Sequence, residues 1–212
     1  TVASRFHGAN VGLPVLALYL VVAGTTHGSR GRAGLTARIV GAAALVFAAL
    51  LPFAHTQRVR GALDLRPGST PYIRLRLWSS AIDMIRDHPW RGVGLDNFLY
   101  LYQERYVKRD AAQERFLSHP HNIVLDWWTR LGVPGIAVML VLVVGNGAVG
   151  WKAIGNTTAR GARALAVGAL GMQVYAVAHG MVDNSFFLGA LAVAWWIAQA
   201  YLLAAAGRSA GS

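Results

Sequence analysis

LGVPGIAVMLVLVVGNGAVGW, Leu131 to Trp151, holds no charged side chain. A helix needs about 20 predominantly apolar residues to cross the hydrocarbon core of a bilayer, and this stretch has that length. Pro134 lies near its start, where proline is tolerated. Working outward, four further stretches lack charge for long enough to span: Gly8 to Thr26, Ile39 to Ala54, Ala164 to Val182, and Asn184 to Gly207. The second is short, but Arg38 can snorkel and Gly34 to Ala37 can extend it. The expectation is an all-α polytopic membrane protein with about five transmembrane helices.

Composition agrees. Hydrophobic residues make up 55% of the 212, and charged residues only 14%. A soluble domain is nearer a quarter charged. The formal net charge of +11 has no soluble basic domain to hold it, so nucleic acid is not the expected partner. Anionic lipid head groups and phosphorylated substrates suit it better. The absence of cysteine excludes disulfides, thiolate catalysis and cysteine zinc sites. The chain opens on Thr1 without a signal sequence, and we expect it to be the C-terminal piece of a longer protein.

The loops set an orientation. Arg30, Arg32 and Arg38 follow the first span, Lys152, Arg160 and Arg163 follow the third, and Arg208 follows the last. Short basic loops stay in the cytoplasm. The region from His55 to Arg130 then faces the other side, as do Arg5 and Asp183. Three parts result: 1–54, two spans with a short cytoplasmic loop; 55–130, one large helical extracytoplasmic loop; and 131–212, three spans.

Within the large loop, Leu75, Trp78, Ile82 and Ile85 recur at helical spacing, opposite Arg76, Asp83 and Arg86. Asp87-His-Pro-Trp-Arg-Gly-Val-Gly94 breaks that helix. Asp96 or Asn97 can cap a second helix bearing Phe98, Leu101, Tyr102 and Tyr106. Ser118-His-Pro-His121 breaks again, and Ile123, Val124, Trp127 and Trp128 lead into the third span. Gly92-Val-Gly94 is a turn and not a dinucleotide fingerprint, because the third glycine is missing and no strand precedes it.

The candidate chemistry lies around His121-Asn122, followed at nine residues by Gly132-Val-Pro-Gly135. Histidine exchanges a proton near neutral pH, which suits a general base. Asn122 could orient it or a substrate, and the glycines permit close helix packing. The competing reading of His121 is a capping residue at a membrane interface. His119 and His121 could instead bind a metal, but no carboxylate or third histidine stands at helpful spacing, so no metal site is expected. Arg74 could grip phosphate oxygens bidentately, or be a solvated arginine. Arg5 could share that site, or be an interfacial anchor. Asp183 lies between two apolar spans, where an ionisable group is usually functional, or else faces water in a turn.

Together these pieces resemble the O-antigen ligase and polymerase superfamily. The features that carry the resemblance run in order: Ser4-Arg5 before a span, Arg74-Leu-Arg-Leu-Trp78, Ala81, Met84-Ile85, His88-Pro-Trp-Arg-Gly-Val-Gly-Leu-Asp-Asn-Phe98, His121-Asn122, the glycines Gly132 and Gly135, and Asp183. The resemblance implies a larger fold of about twelve spans, of which this chain is the C-terminal portion, in the bacterial inner membrane with the loop facing the periplasm. It implies an inverting, metal-independent glycosyltransferase without a cofactor. The donor would be a glycan on undecaprenyl diphosphate and the acceptor a hydroxyl of a glycan or lipid such as lipid A-core. His121 would be the base, aided by Asn122. Arg74 and Arg5 would hold the diphosphate, with Gly132, Gly135 and Asp183 in support. The family's first arginine normally sits in Ser-Arg-Gly. Ser29-Arg30-Gly31 fits that run, but the topology places it in the cytoplasm, which leaves Arg5. Other readings are a polymerase or protein O-oligosaccharyltransferase of the same fold, a transporter, or an assembly subunit. A transporter would need polar residues in mid-span, where the sequence offers Asn146, Gln173 and Gln199.

Overall fold

A computed structural model describes residues 14–20, 40–41, 44, 61, 64–183 and 189–207. Arg5, Arg30 and most of the first two expected spans lie outside them. All regular structure among the described residues is helical. Helix α1 covers Thr70–Asp87 and α2 covers Phe98–Leu101. A π-helical turn follows at Tyr102–Tyr106 and a 3₁₀ segment at Arg109–Glu114. The long helices are α3, Ile123–Asn156, α4, Arg160–Gly180, and α5, Gly189–Ala206. These three are long and apolar enough to cross a membrane, and they fall on the last three expected spans. Residues 14–20, inside the first expected span, are helical.

The described residues form two compact units. The first holds 61, 64–142 and 180–183, and the second holds 14–20, 40–41, 44, 143–179 and 189–207.

In the first unit, Ser69 caps α1, its hydroxyl accepting from the Tyr72 amide. The buried stripe of α1 is Leu77, Ser80, Ala81, Met84 and Ile85. This corrects the expected apolar face. Ile85 belongs to the buried set, but Leu75 and Ile82 are exposed. Leu77, Ala81 and Met84 pack with the stacked rings of Phe98 and Tyr102, 5.6 Å apart, and the small Ala81 lets the helix approach them closely. The Ser80 hydroxyl donates to the Tyr106 carbonyl at 2.6 Å and so fastens the π turn to α1. The expected second loop helix is present from Phe98 to Tyr106, but it passes from α2 into the π turn at Tyr102. Asn97 holds the cap position, but its amide donates to the Val93 carbonyl and does not cap α2.

In the second unit, Ala153 and Ile154 of α3, Ala166 and Leu170 of α4, and Leu202, Ala205 and Ala206 of α5 form the core. Small residues let membrane helices come close. A Cβ on Gly150 would lie 2.7 Å from Leu170. Hydrogen bonds tie the same helices: Asn156 donates to the Ala206 carbonyl at 2.9 Å, and Gln173 to the Gln199 side chain at 3.0 Å. Gln173 and Gln199, two of the mid-span polar residues, are thus engaged with each other.

Candidate active site

Helix α3 contains a sharp break. Gly132 adopts φ 66° and ψ −153°, outside the helical region and reached easily only by glycine. Pro134 stands two residues beyond, at the first turn of the resumed helix, where its missing N–H costs no hydrogen bond. The segment Pro89–Gly94 is laid against this break by backbone hydrogen bonds. Val93 N–H donates to the Thr129 carbonyl at 2.7 Å, Gly94 N–H to Arg130 at 3.1 Å, and Val133 N–H to Pro89 at 3.1 Å. Trp128 Nε1 also donates to Pro89, at 3.2 Å. The approach leaves no room for side chains: a Cβ on Gly132 would lie 2.4 Å from the Trp90 carbonyl, and one on Gly92 2.5 Å from the Thr129 oxygen. Gly135 fits against its own chain, where a Cβ would meet the Trp127 oxygen at 2.8 Å. Among the described residues the glycine pair therefore serves a kink and a docked loop. Arg130, 7% exposed, reinforces the junction. Its Nε donates to Asp126 at 2.8 Å and one terminal nitrogen to Asp96 at 2.7 Å. The i,i+4 spacing of Asp126 and Arg130 was legible in the sequence, whereas the Asp96 contact closes across 34 positions.

His121 sits just ahead of α3 with φ 51°, a left-handed conformation unusual for a residue other than glycine. Three contacts hold it there. Trp78 Nε1, from α1, donates to the Pro120 carbonyl at 2.9 Å. The Asn122 side-chain oxygen accepts from the amides of Val124 and Leu125 at 3.0 and 3.1 Å, an N-cap on α3. The Asn122 nitrogen donates to the Met181 carbonyl at 2.9 Å. That last bond draws in the turn beyond α4, where Gly180 lies so near Ile123 that an added Cβ would be 3.1 Å from it. Asp183 follows, and its carboxylate meets His121 Nδ1 at 2.7 Å. Both side chains are about one-fifth exposed.

A carboxylate at Nδ1 holds the proton on that nitrogen and leaves Nε2 as the acceptor. The pair can therefore take a proton from a weakly acidic group. The His119 ring lies 4.3 Å from that of His121, and burial, with His121 beside it, pushes its pKa down to about 4. Nitrogen and oxygen atoms of His119, His121 and Asp183 lie within 4.8 Å of one another. Sequence spacing gave no third ligand to the histidine pair; the fold supplies Asp183.

Arg74 is half-buried on α1, one turn before Trp78. Desolvation lowers its pKa, and the negative charge of Asp183 acts against that shift, so the guanidinium lies within electrostatic reach of the histidine–carboxylate pair. Of the residues expected at the site, the structure thus gathers His121, Asn122, Asp183 and Arg74 around the start of α3, with Gly132 and Gly135 shaping the next turns.

This is a membrane protein whose described regular structure is all helical, with a histidine–carboxylate pair set at the head of a long apolar helix. The O-antigen ligase family model matches residues 2–140, two-thirds of the sequence, and the chain belongs to that family. No curated protein matches it significantly.

Proposed function

We propose that this chain carries the transfer centre of a membrane glycan ligase, which moves a glycan from undecaprenyl diphosphate to an acceptor hydroxyl with inversion at the anomeric carbon. The observation that carries the proposal is the 2.7 Å contact between His121 Nδ1 and Asp183. A hydroxyl is a poor nucleophile until its proton is removed as the new bond forms. His121 Nε2 accepts that proton while the acceptor oxygen attacks the anomeric carbon. The bond from that carbon to the diphosphate oxygen breaks, and the diphosphate leaves with the electron pair. Asp183 stabilises the imidazolium that results. Arg74 and Arg5 hold the diphosphate and offset its growing charge, a part metal ions play in other phosphate-releasing enzymes. Asn122 positions: it caps α3 behind His121 and binds the turn that bears Asp183. The same proton transfer serves a ligase or a polymerase, which differ in acceptor.

The test is transfer of labelled glycan from an undecaprenyl-diphosphate-linked donor by the purified full-length protein. A positioned base contributes about 10²–10⁴-fold, so His121→Ala lowers the rate by at least that lower bound while membrane level and elution profile stay normal. A folded His121→Ala protein transferring at near the wild-type rate overturns the assignment.

A further inference from the structure

We propose that His119, His121 and Asp183 also form a binding site for a zinc-type divalent ion, whose occupancy blocks transfer. The inhibitory half of this proposal rests on His121 being the base; the binding half does not. Two imidazoles and one carboxylate form a donor set that zinc, cobalt and nickel favour, whereas magnesium and calcium prefer oxygen alone. Three protein ligands of this kind leave a fourth position to water. In a tetrahedral site with metal–ligand distances near 2.1 Å, neighbouring ligand atoms lie about 3.4 Å apart. The three ligand atoms already sit within 4.8 Å of one another, so modest side-chain rotation closes the set.

The backbone prepares this geometry. The left-handed conformation at His121 goes with ring centroids 4.3 Å apart in two histidines separated only by Pro120. Pro120 itself is pinned by Trp78, and the Asp183 turn by Asn122. The Ser118 hydroxyl lies 3.2 Å from His119 Nδ1 and steadies that ring, as partners outside the ligand set commonly do in metal sites. The ligands are thus held from two distant parts of the chain, 62 positions apart between His121 and Asp183.

Occupancy has a direct consequence. An ion on these groups takes the imidazole lone pair or separates Asp183 from Nδ1, and either change removes the base. Transfer therefore falls with added zinc, is insensitive to magnesium, and returns when a chelator is added.

The experiment uses the purified, metal-stripped, full-length protein titrated with Co²⁺, whose visible absorption reports low-coordinate nitrogen and oxygen ligation. We expect saturation at one equivalent per chain, displacement by Zn²⁺, and no displacement by Mg²⁺. His119→Gln and Asp183→Asn, two near-isosteric changes in separate segments, should each weaken Co²⁺ binding at least about tenfold. Elution profile shows that each variant is folded. No saturable signal, or one that neither substitution weakens, overturns the site. Stoichiometric zinc binding with unchanged transfer overturns the inhibitory role and, with it, His121 as the base. Transfer that requires the metal overturns inhibition and the metal-independent mechanism, while leaving the binding site intact.

Discussion

Both ends of the Asn122 side chain hold backbone: the oxygen caps α3, and the nitrogen secures the Met181 carbonyl. Two substitutions separate these duties. Asn122→Ala removes both and should cost about 1 kcal/mol from the lost cap alone. Asn122→Asp keeps a good cap acceptor but loses the donor to Met181, so it should preserve thermal stability while lowering the transfer rate. Loss of stability in Asn122→Asp equal to that in Asn122→Ala would show that the bond to Met181, and not the cap, dominates. Arg74 allows a parallel test. A guanidinium can engage diphosphate oxygens in pairs, and an ammonium acts as a point charge. Arg74→Lys should therefore raise the apparent KM for the lipid-linked donor, and Arg74→Ala should raise it further. Equal donor affinity in all three proteins would remove Arg74 from the donor site.

At the scale of elements, the docked segment and the break in α3 depend on one another. Gly92 and Gly132 both have positive φ, and a side chain on either would strike backbone that cannot swing away. Gly132→Ala adds about 1–3 kcal/mol of backbone strain to that collision, because φ 66° with ψ −153° is open essentially to glycine alone. It should lower the unfolding temperature or abolish accumulation in the membrane, and Gly92→Ala should behave likewise. Gly168, mid-way along α4, is the contrast. No described atom lies within 4 Å of a Cβ there, so Gly168→Ala should be neutral or mildly stabilising in the same melt. Trp78 links two elements in another way. Its indole joins α1, which bears Arg74, to the Pro120 carbonyl beside His121. Trp78→Phe keeps most of the ring and loses the donor. It should reduce kcat more than it alters donor KM, since His121 loses its restraint while Arg74 stays in place. An unchanged kcat would show that the other contacts suffice to hold His121.

At the scale of the whole molecule, the short basic loops give the expected orientation its sign. This stretch of chain has no cysteine of its own, so single reporters can be placed within it. Ser69→Cys in the large loop should react with an impermeant thiol reagent in intact spheroplasts, and Thr158→Cys between α3 and α4 should not. The reverse pattern would invert the topology and place the His121–Asp183 pair in the cytoplasm.

The sequence by itself determined the helical membrane architecture around Leu131–Trp151 and the last three spans, and it marked His121 as a candidate base. Spanning length and hydropathy are local properties, written within about 20 consecutive residues. It also located the break at His88–Gly94, because glycine and proline mark such points whatever surrounds them. Only the tertiary structure decided what these residues touch. Periodicity suggested Leu75 and Ile82 as the inner face of α1, yet Leu77, Ala81 and Met84 are the residues that pack with Phe98 and Tyr102. The glycine spacing was visible, but its reason was a backbone approach between segments some 40 residues apart. Asp183 and His121 are separated by 62 positions, and no pattern read along the chain joins them. Their meeting depends on where α4 ends and on the Asn122 bond that fastens its turn to the head of α3, a consequence of folding in three dimensions.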